Sequence, residues 1–553
     1  MSRFLLVLLL CIFTPLSWAK TNDVAIASAH PLATQAGLDI LQQGGNAFDA
    51  AVAITAALAV VEPAGSGLGG GGFWLLHREH DKFQIMLDGR EMAPGAAHRD
   101  MYLNDKGEFE PELSLNGPLA AGIPGVPAAM AHLSQNYGQL PLKVSLQPAI
   151  HLAEHGFKVT EGYQRLAEFR HSVLSHYPVT AEIFLSEGAV PELGTLIKQP
   201  DLAATLKAIA DAGNDGFYHG PVADKLIAAV RQYGGIWTRD DLAAYQVKER
   251  PPVTGSYRGY DITSASLPSS GGIVMMLALN QLAQFDLDTA DASQKQHLII
   301  ESLRRAYRDR SLYLGDQDFV SVPAFLTEPE YAQQLSKDID LYHASSSQAV
   351  AEPSVKGEDT THFSVIDKHG NRVAATLSIN YPFGSGFVAA GTGVLLNDEM
   401  DDFSAQPGTA NVYGLVGNEA NAIAPYKRPL SSMSPTFVEN DARLFITGTP
   451  GGSRIISMVL LSVLDFIAGH DAKHIVSAPR FHHQYLPDEV QIESEGFDDA
   501  MLQALVERGH TINQLNRQYG NMQLISVNKQ NGHAEAASDP RGGGLAISRT
   551  NTD

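Results

Sequence analysis

The chain has 553 residues, a formal charge of −22 and a pI near 5.3. That negative balance excludes nucleic acid and anionic membrane surfaces as partners held by charge. The length allows roughly two to four domains, but no Pro/Ser linker, repeat or low-complexity tract marks a boundary, so one large globular body is expected.

Residues 1–19 carry Arg3, an apolar run from Phe4 to Phe13, and Ser17-Trp18-Ala19 in the small-x-small form of a cleavage site. This reads as a secretory signal, too short for a membrane span. Cys11 is the only cysteine, and Leu9-Leu10 before it lacks the small residues of a lipid-anchor site. The mature chain, expected in the periplasm, then needs no disulfide, which suits a large domain with an ample core. Ile273 to Leu282 is the most apolar later run and reads as a buried helix.

Pro31 to Gln43 and Asn46 to Val61 read as two helices separated by Gly44-Gly45. Gly65, Gly67 and Gly70 form a G-x-G-x-x-G, but a helix precedes it and the strand-like FWLLH follows it. A dinucleotide site needs the opposite order, so close backbone packing is expected instead. Residues 95–350 are mostly helical by periodicity, with a turn at Asn214-Asp215-Gly216, and Pro268 to Gly272 introduces the buried helix. From Thr360 the pattern changes to hairpins, then to a long apolar helix near Ile455 to Ala468. Helices flanking strands at both ends of the chain suggest layered helix–sheet–sheet–helix packing.

The run DTTHFSVID, Asp359 to Asp367, places a hydroxyl residue at the mouth of a strand. Cleavage before Thr360 would give that residue a free α-amine with a pKa of about 7.7–8.0, able to act as general base for its own hydroxyl. FSVID and RVAATLSI, the latter Arg372 to Ile379, alternate around Lys368-His369-Gly370-Asn371 and read as a hairpin. A three-residue loop with Gly370 left-handed sets Thr360 opposite Ser378; a two-residue loop would set Thr361 there. The first register is preferred because it brings a second hydroxyl beside Thr360.

Ten short motifs in order then resemble the γ-glutamyltransferase family of the N-terminal-nucleophile hydrolase superfamily. They are DAAVA, VEPAGSGLGGGGF, REMAP, TTHFSV, NDEMDDFS, NVYGLVG, RPLSSMSPT, GTPGGSRI, PRFHHQ and ASDPR, spread from Asp49 to Arg541. The resemblance implies an α/β (α+β) four-layer αββα fold. It also implies autocleavage between Asp359 and Thr360, yielding a large subunit (20–359) and a small catalytic subunit (360–553) that stay together as a heterodimer.

By the same resemblance Thr360 is the nucleophile and forms a γ-glutamyl ester. Ser378, where the family usually has threonine, positions it, and Thr376 on the same strand face assists maturation. Gly451 and Gly452 match the family's oxyanion pair, although Pro-Gly-Gly alone reads as a plain turn. Arg90, Ser431 and Ser432 would hold the α-carboxylate of the substrate, and Asn380, Glu399 and Asp402 its α-ammonium. Glu399 stands where some bacterial relatives have glutamine, and Asp88-Gly89 precedes Arg90 where an aromatic is expected. Tyr413 lies in the segment resembling the family's flexible lid, which excludes water.

His482, His483 and Asp488 could suggest metal ligands, but adjacent histidines diverge on any regular element, so structural hydrogen bonding is the better reading, as it is for His362. No Walker loop, zinc spacing or G-x-S-x-G elbow occurs, and no cofactor or metal is expected. The activity implied is transfer of γ-glutamyl from glutathione and related amides to amino acids, peptides or water. The rivals are a glutaryl or β-lactam side-chain acylase of the same superfamily, and an unprocessed, non-catalytic binding protein.

Overall fold

Alternation along the strand Gly71–Arg78 sends its side chains into two separate cores. Trp74 and Leu76 pack with the helices Pro31–Gln42 and Ala47–Val61, whereas Phe73 and Leu75 pack toward a second sheet. The computed structural model describes residues 23–347, 360–406 and 408–550. The expected signal at 1–19, Asp359 and the bond before Thr360 lie outside the described residues.

The first sheet has seven strands in the order Leu545–Thr550, Asp23–Ser28, Thr361–Ile366, Arg372–Ser378, Gly71–Arg78, Phe83–Gly89 and Lys248–Arg250. The second has six, ordered His533–Ser538, Gln523–Asn528, Arg443–Thr447, Thr436–Glu439, Tyr260–Ser264 and Val253–Tyr257. Phe437 faces the first sheet, its ring 5.1 Å from the Arg372 guanidinium carbon. Phe445 faces outward and stacks on Phe466 of the helix Ile455–Ala468. Gly271–Leu282, Ala292–Tyr313 and Ile455–Ala468 cover that side. The result is the four-layer αββα arrangement, with polar side chains threaded between the two sheets.

The hairpin has the three-residue loop. Asp367 and Asn371 close it, Gly370 takes φ +88°, and the ladder pairs Leu377 with Thr361 and Thr376 with His362. The next pair out is therefore Thr360 and Ser378. Asp367 secures this turn by accepting the His369 and Asn371 N–H groups. Its second oxygen accepts the N–H of Ala47, at the start of a fully buried helix. Asn46 is the cap of that helix, not its first residue, and forms a reciprocal capping box with Asp49.

Residues 95–350 are mostly helical, as expected, with short strands among the helices and one turn to correct. Lys248–Arg250, Val253–Tyr257 and Tyr260–Ser264 are strands in a region read as mostly helical. Val253–Tyr257 and Tyr260–Ser264 form a local hairpin, while Lys248–Arg250 pairs with Phe83–Gly89 and Tyr260–Ser264 also pairs with Thr436–Glu439, both far away in sequence. Asn214-Asp215-Gly216 opens the short helix Asp215–Tyr218 instead of a free turn. The glycine-rich run does pack backbone to backbone: a Cβ on Gly69 would lie 2.0 Å from the Leu395 carbonyl oxygen, and one on Gly70 2.2 Å from that of Ser378. Among the described residues, no helix is long and apolar enough to cross a membrane.

Candidate active site

Thr360 and Ser378 end their strands on the face between the two sheets. Their hydroxyls are 3.3 Å apart, and Ser378 Oγ also accepts the Asn380 N–H at 2.8 Å. Asn380 has φ +71°, a left-handed conformation that asparagine tolerates better than most residues. Its Nδ2 donates to the Asp398 carbonyl at 3.0 Å. Thr360, Ser378 and Asn380 line a cleft with about 290 Å³ of atom-free space, together with Glu399, Asp402, Tyr413, Ser431, Ser432 and Gly452.

Arg90 lies behind this lining and is fully buried. Its Nη1 donates to Glu399, its Nη2 to Asp402 Oδ2 at 2.5 Å, and its Nε to the Pro429 carbonyl at 3.1 Å. Asp88, where an aromatic was expected, accepts the Arg90 N–H and pairs with Arg250 and Arg428. Glu399 is a buried carboxylate whose pKa is raised, chiefly by desolvation, with Arg90 opposing and Asp402 reinforcing the shift.

Ser431 and Ser432 sit between the cleft and the helix Ala292–Tyr313. Ser431 Oγ accepts the Met433 N–H, and Arg310 of that helix donates to Ser432 Oγ at 3.3 Å and to Ser270 Oγ at 2.9 Å. Arg310 was not singled out in the sequence; its helical spacing reads as ordinary surface until Ser270 and Ser432 fold over it.

Gly451 and Gly452 have φ of +141° and +55°. Gly452 touches Tyr413 directly, since a Cβ there would be 2.4 Å from Cδ1 of that ring. Tyr413 and Leu415 line the cleft. Tyr413 is buried, donates its hydroxyl to the Asn380 carbonyl at 2.7 Å, and accepts from Gln484 Nε2 on its own carbonyl. Asn411 Nδ2 donates to Asp402 Oδ1, and the Val412 N–H to Asp401 Oδ2. Burial pushes the Asp401 carboxyl up to about 7, while its bonds from Ser114 and Val412 pull the other way. The acidic run 398–402 thus joins lid, Arg90 and cleft, a linkage that charge spacing alone does not reveal.

Thr376 bonds to Nδ1 of the directly opposed His362 at 2.9 Å. The other ring nitrogen of His362 meets Ser364 Oγ, and burial lowers its pKa to about 3. His482 bonds to Ser457 and Gln484, and His483 to Asp488 at 3.3 Å, so the adjacent histidines have separate partners. Among the described residues no group of three or more His, Cys, Asp and Glu is arranged to hold a metal ion.

The family model described as Gamma-glutamyltranspeptidase matches residues 33–548. The chain is 44% identical to the glutathione hydrolase proenzyme of Escherichia coli K12, across 95% of this chain and 93% of that protein. It is 41% identical to the protein of the same name from Pseudomonas aeruginosa, across 96% and 95%. Among solved structures, cephalosporin acylase from Bacillus halodurans superposes with a TM-score of 0.85 at 30% identity, covering 95% of each chain.

Proposed function

The chain belongs to the γ-glutamyltranspeptidase family, and from that membership we propose that it is an exported, self-processing enzyme acting through a γ-glutamyl ester on Thr360. The observation that carries this reading is the ladder register that sets the Thr360 hydroxyl against Ser378 on the floor of a cleft lined by Asn380, Glu399 and Asp402.

In this reading the Thr360 hydroxyl first attacks the Asp359 carbonyl, and water opens the resulting ester. Residues 20–359 and 360–553 remain associated, and the new α-amine becomes the general base. A donor such as glutathione binds with its α-ammonium toward Asn380, Glu399 and Asp402 and its α-carboxylate toward Ser431 and Ser432, while Arg90, expected to grip that carboxylate, instead lies behind the lining and holds Glu399 and Asp402 in place. The amine takes the Thr360 hydroxyl proton as Oγ1 attacks the γ-carbonyl. The Gly451 and Gly452 N–H groups stabilise the oxyanion. The proton passes to the departing amine, cysteinylglycine in the case of glutathione. An amino acid, a peptide or water then attacks the ester. A periplasmic location accords with the residues at 1–19.

The structural likeness to a protein titled cephalosporin acylase supports a second reading, a side-chain acylase. Its glutaryl substrates lack the α-ammonium and would have no use for the acidic lining. Release of p-nitroaniline from γ-glutamyl and glutaryl anilides separates the two. The proposal expects turnover of the γ-glutamyl compound at least about tenfold faster, since losing one ionic contact costs about 1.5–3 kcal/mol. Preferential release from the glutaryl compound would overturn it.

A further inference from the structure

Glu91 is fully buried next to Arg90, and neither of its side-chain oxygens has a hydrogen-bond partner among the described residues. Glu399 Oε2 is likewise buried and unpartnered among those residues. Both carboxylates converge on one atom: Arg90 Nη1 donates to Glu399 Oε1 and lies 3.7 Å from Glu91 Oε2. Glu91 has no room to withdraw. A Cβ on Gly71, the ladder partner of Ser378, would be 2.5 Å from Glu91 Oε2, and one on Gly122 would be 3.0 Å from the Glu91 Cβ. Three buried carboxylate oxygens without a donor are costly unless a proton joins two of them.

We propose that Glu91 is a positioning residue of the donor site, sharing one proton with Glu399, and that a donor's α-ammonium displaces this proton to solvent as it binds. This inference rests on the donor-site reading above. The proton leaves a carboxyl O–H for water, and the ammonium replaces it as the cation facing Glu399, so charge in the site is conserved. Burial raises both pKa values, and mutual repulsion raises that of Glu91 further.

The other groups that face the pair do not supply this proton. Arg90 and Arg310 stay cationic, and Tyr218 and Tyr245 are held well above the usual tyrosine range by burial. Asp402 is paired with Arg90. Asp398 has a raised pKa, but its Oδ1 is spent on the Tyr381 N–H and it does not line the cleft.

The test is calorimetric titration of the processed enzyme with glutamate, the hydrolysis product, in two buffers of different ionisation enthalpy between pH 6 and 7. The inference predicts release of close to one proton per glutamate, which makes affinity fall about tenfold per pH unit on the acid side of the pair's pKa. Glu399→Gln and Glu91→Gln should each bind glutamate with almost no proton release and a flat pH dependence. Using both variants guards against one failing to fold. Binding with wild-type proton release in either variant would overturn the shared proton, as would wild-type binding without release. Absence of glutamate binding to the wild type would overturn the donor-site reading and this inference with it.

Discussion

Ser378 serves two neighbours at once, 3.3 Å from Thr360 Oγ1 and accepting the Asn380 N–H at 2.8 Å. Ser378→Ala therefore removes the neighbour of the nucleophile and leaves a buried N–H unpaired, at a cost of about 1–3 kcal/mol. We expect kcat to fall about 10- to 100-fold, with Ser378→Thr keeping most activity because the hydroxyl is retained. Initial-rate kinetics decide this; equal losses in both variants would show that the hydroxyl is not the feature used. Gly452 is constrained twice, by φ +55° and by the Tyr413 ring. Gly452→Ala must displace that ring and adopt a conformation costing a β-carbon-bearing residue about 1–2 kcal/mol. Its donor turnover should drop at least about tenfold, checked by anilide release.

At the level of elements, the segment around Tyr413, proposed as the lid, is tied by hydrogen bonds to the acidic run, to Asn380 and to Gln484. Tyr413→Phe deletes the bond to the Asn380 carbonyl while keeping the ring against Gly452. If the lid excludes water, the ratio of glutamate to γ-glutamyl-peptide product with a dipeptide acceptor should rise about two- to tenfold, the effect of a net hydrogen bond of about 0.5–1.5 kcal/mol. An unchanged ratio would separate the lid from water exclusion. The hairpin under the site was legible because its signals are local: β-branched alternation, Gly370 and a closing Asp367/Asn371 pair. The strands at 248–264 were missed although Val253–Tyr257 and Tyr260–Ser264 form a local hairpin; the partners that place them in the sheets, near 86 and 436, are distant in sequence. Glu91 and Arg310 were equally hidden. A carboxylate after Arg90 and an arginine on a polar helix look like surface until distant segments bury them.

Across the whole molecule, two sheets meet face to face and must satisfy the polar groups caught between them. Arg372 of the first sheet reaches Glu439 of the second and lies over Phe437. Burial alone would lower the pKa of this arginine, and Glu439 and Glu79 oppose that effect. Removing it leaves Glu439 with Lys529 at 3.0 Å. Arg372→Met should therefore destabilise by about 3 kcal/mol, the low end for breaking a buried pair, seen as a lower calorimetric midpoint. An unchanged midpoint would mean that the sheets hold together without this link. Helices flanking strands at both ends of the chain suggested the layering, and the resemblance made it the specific four-layer αββα order. The charge of −22 bears on partners and leaves the fold undetermined.

The central claim is that Thr360 becomes an N-terminal nucleophile. The most direct measurement is intact mass with N-terminal sequencing of the purified wild type and Thr360→Ala, each assayed for γ-glutamyl-anilide release. The account predicts two wild-type chains, one beginning Thr-Thr-His-Phe-Ser, with release, against one uncut variant chain slower by on the order of 10⁴-fold or more. A wild type active as one intact chain, or a Thr360→Ala variant that cleaves itself and turns over donor, would contradict it.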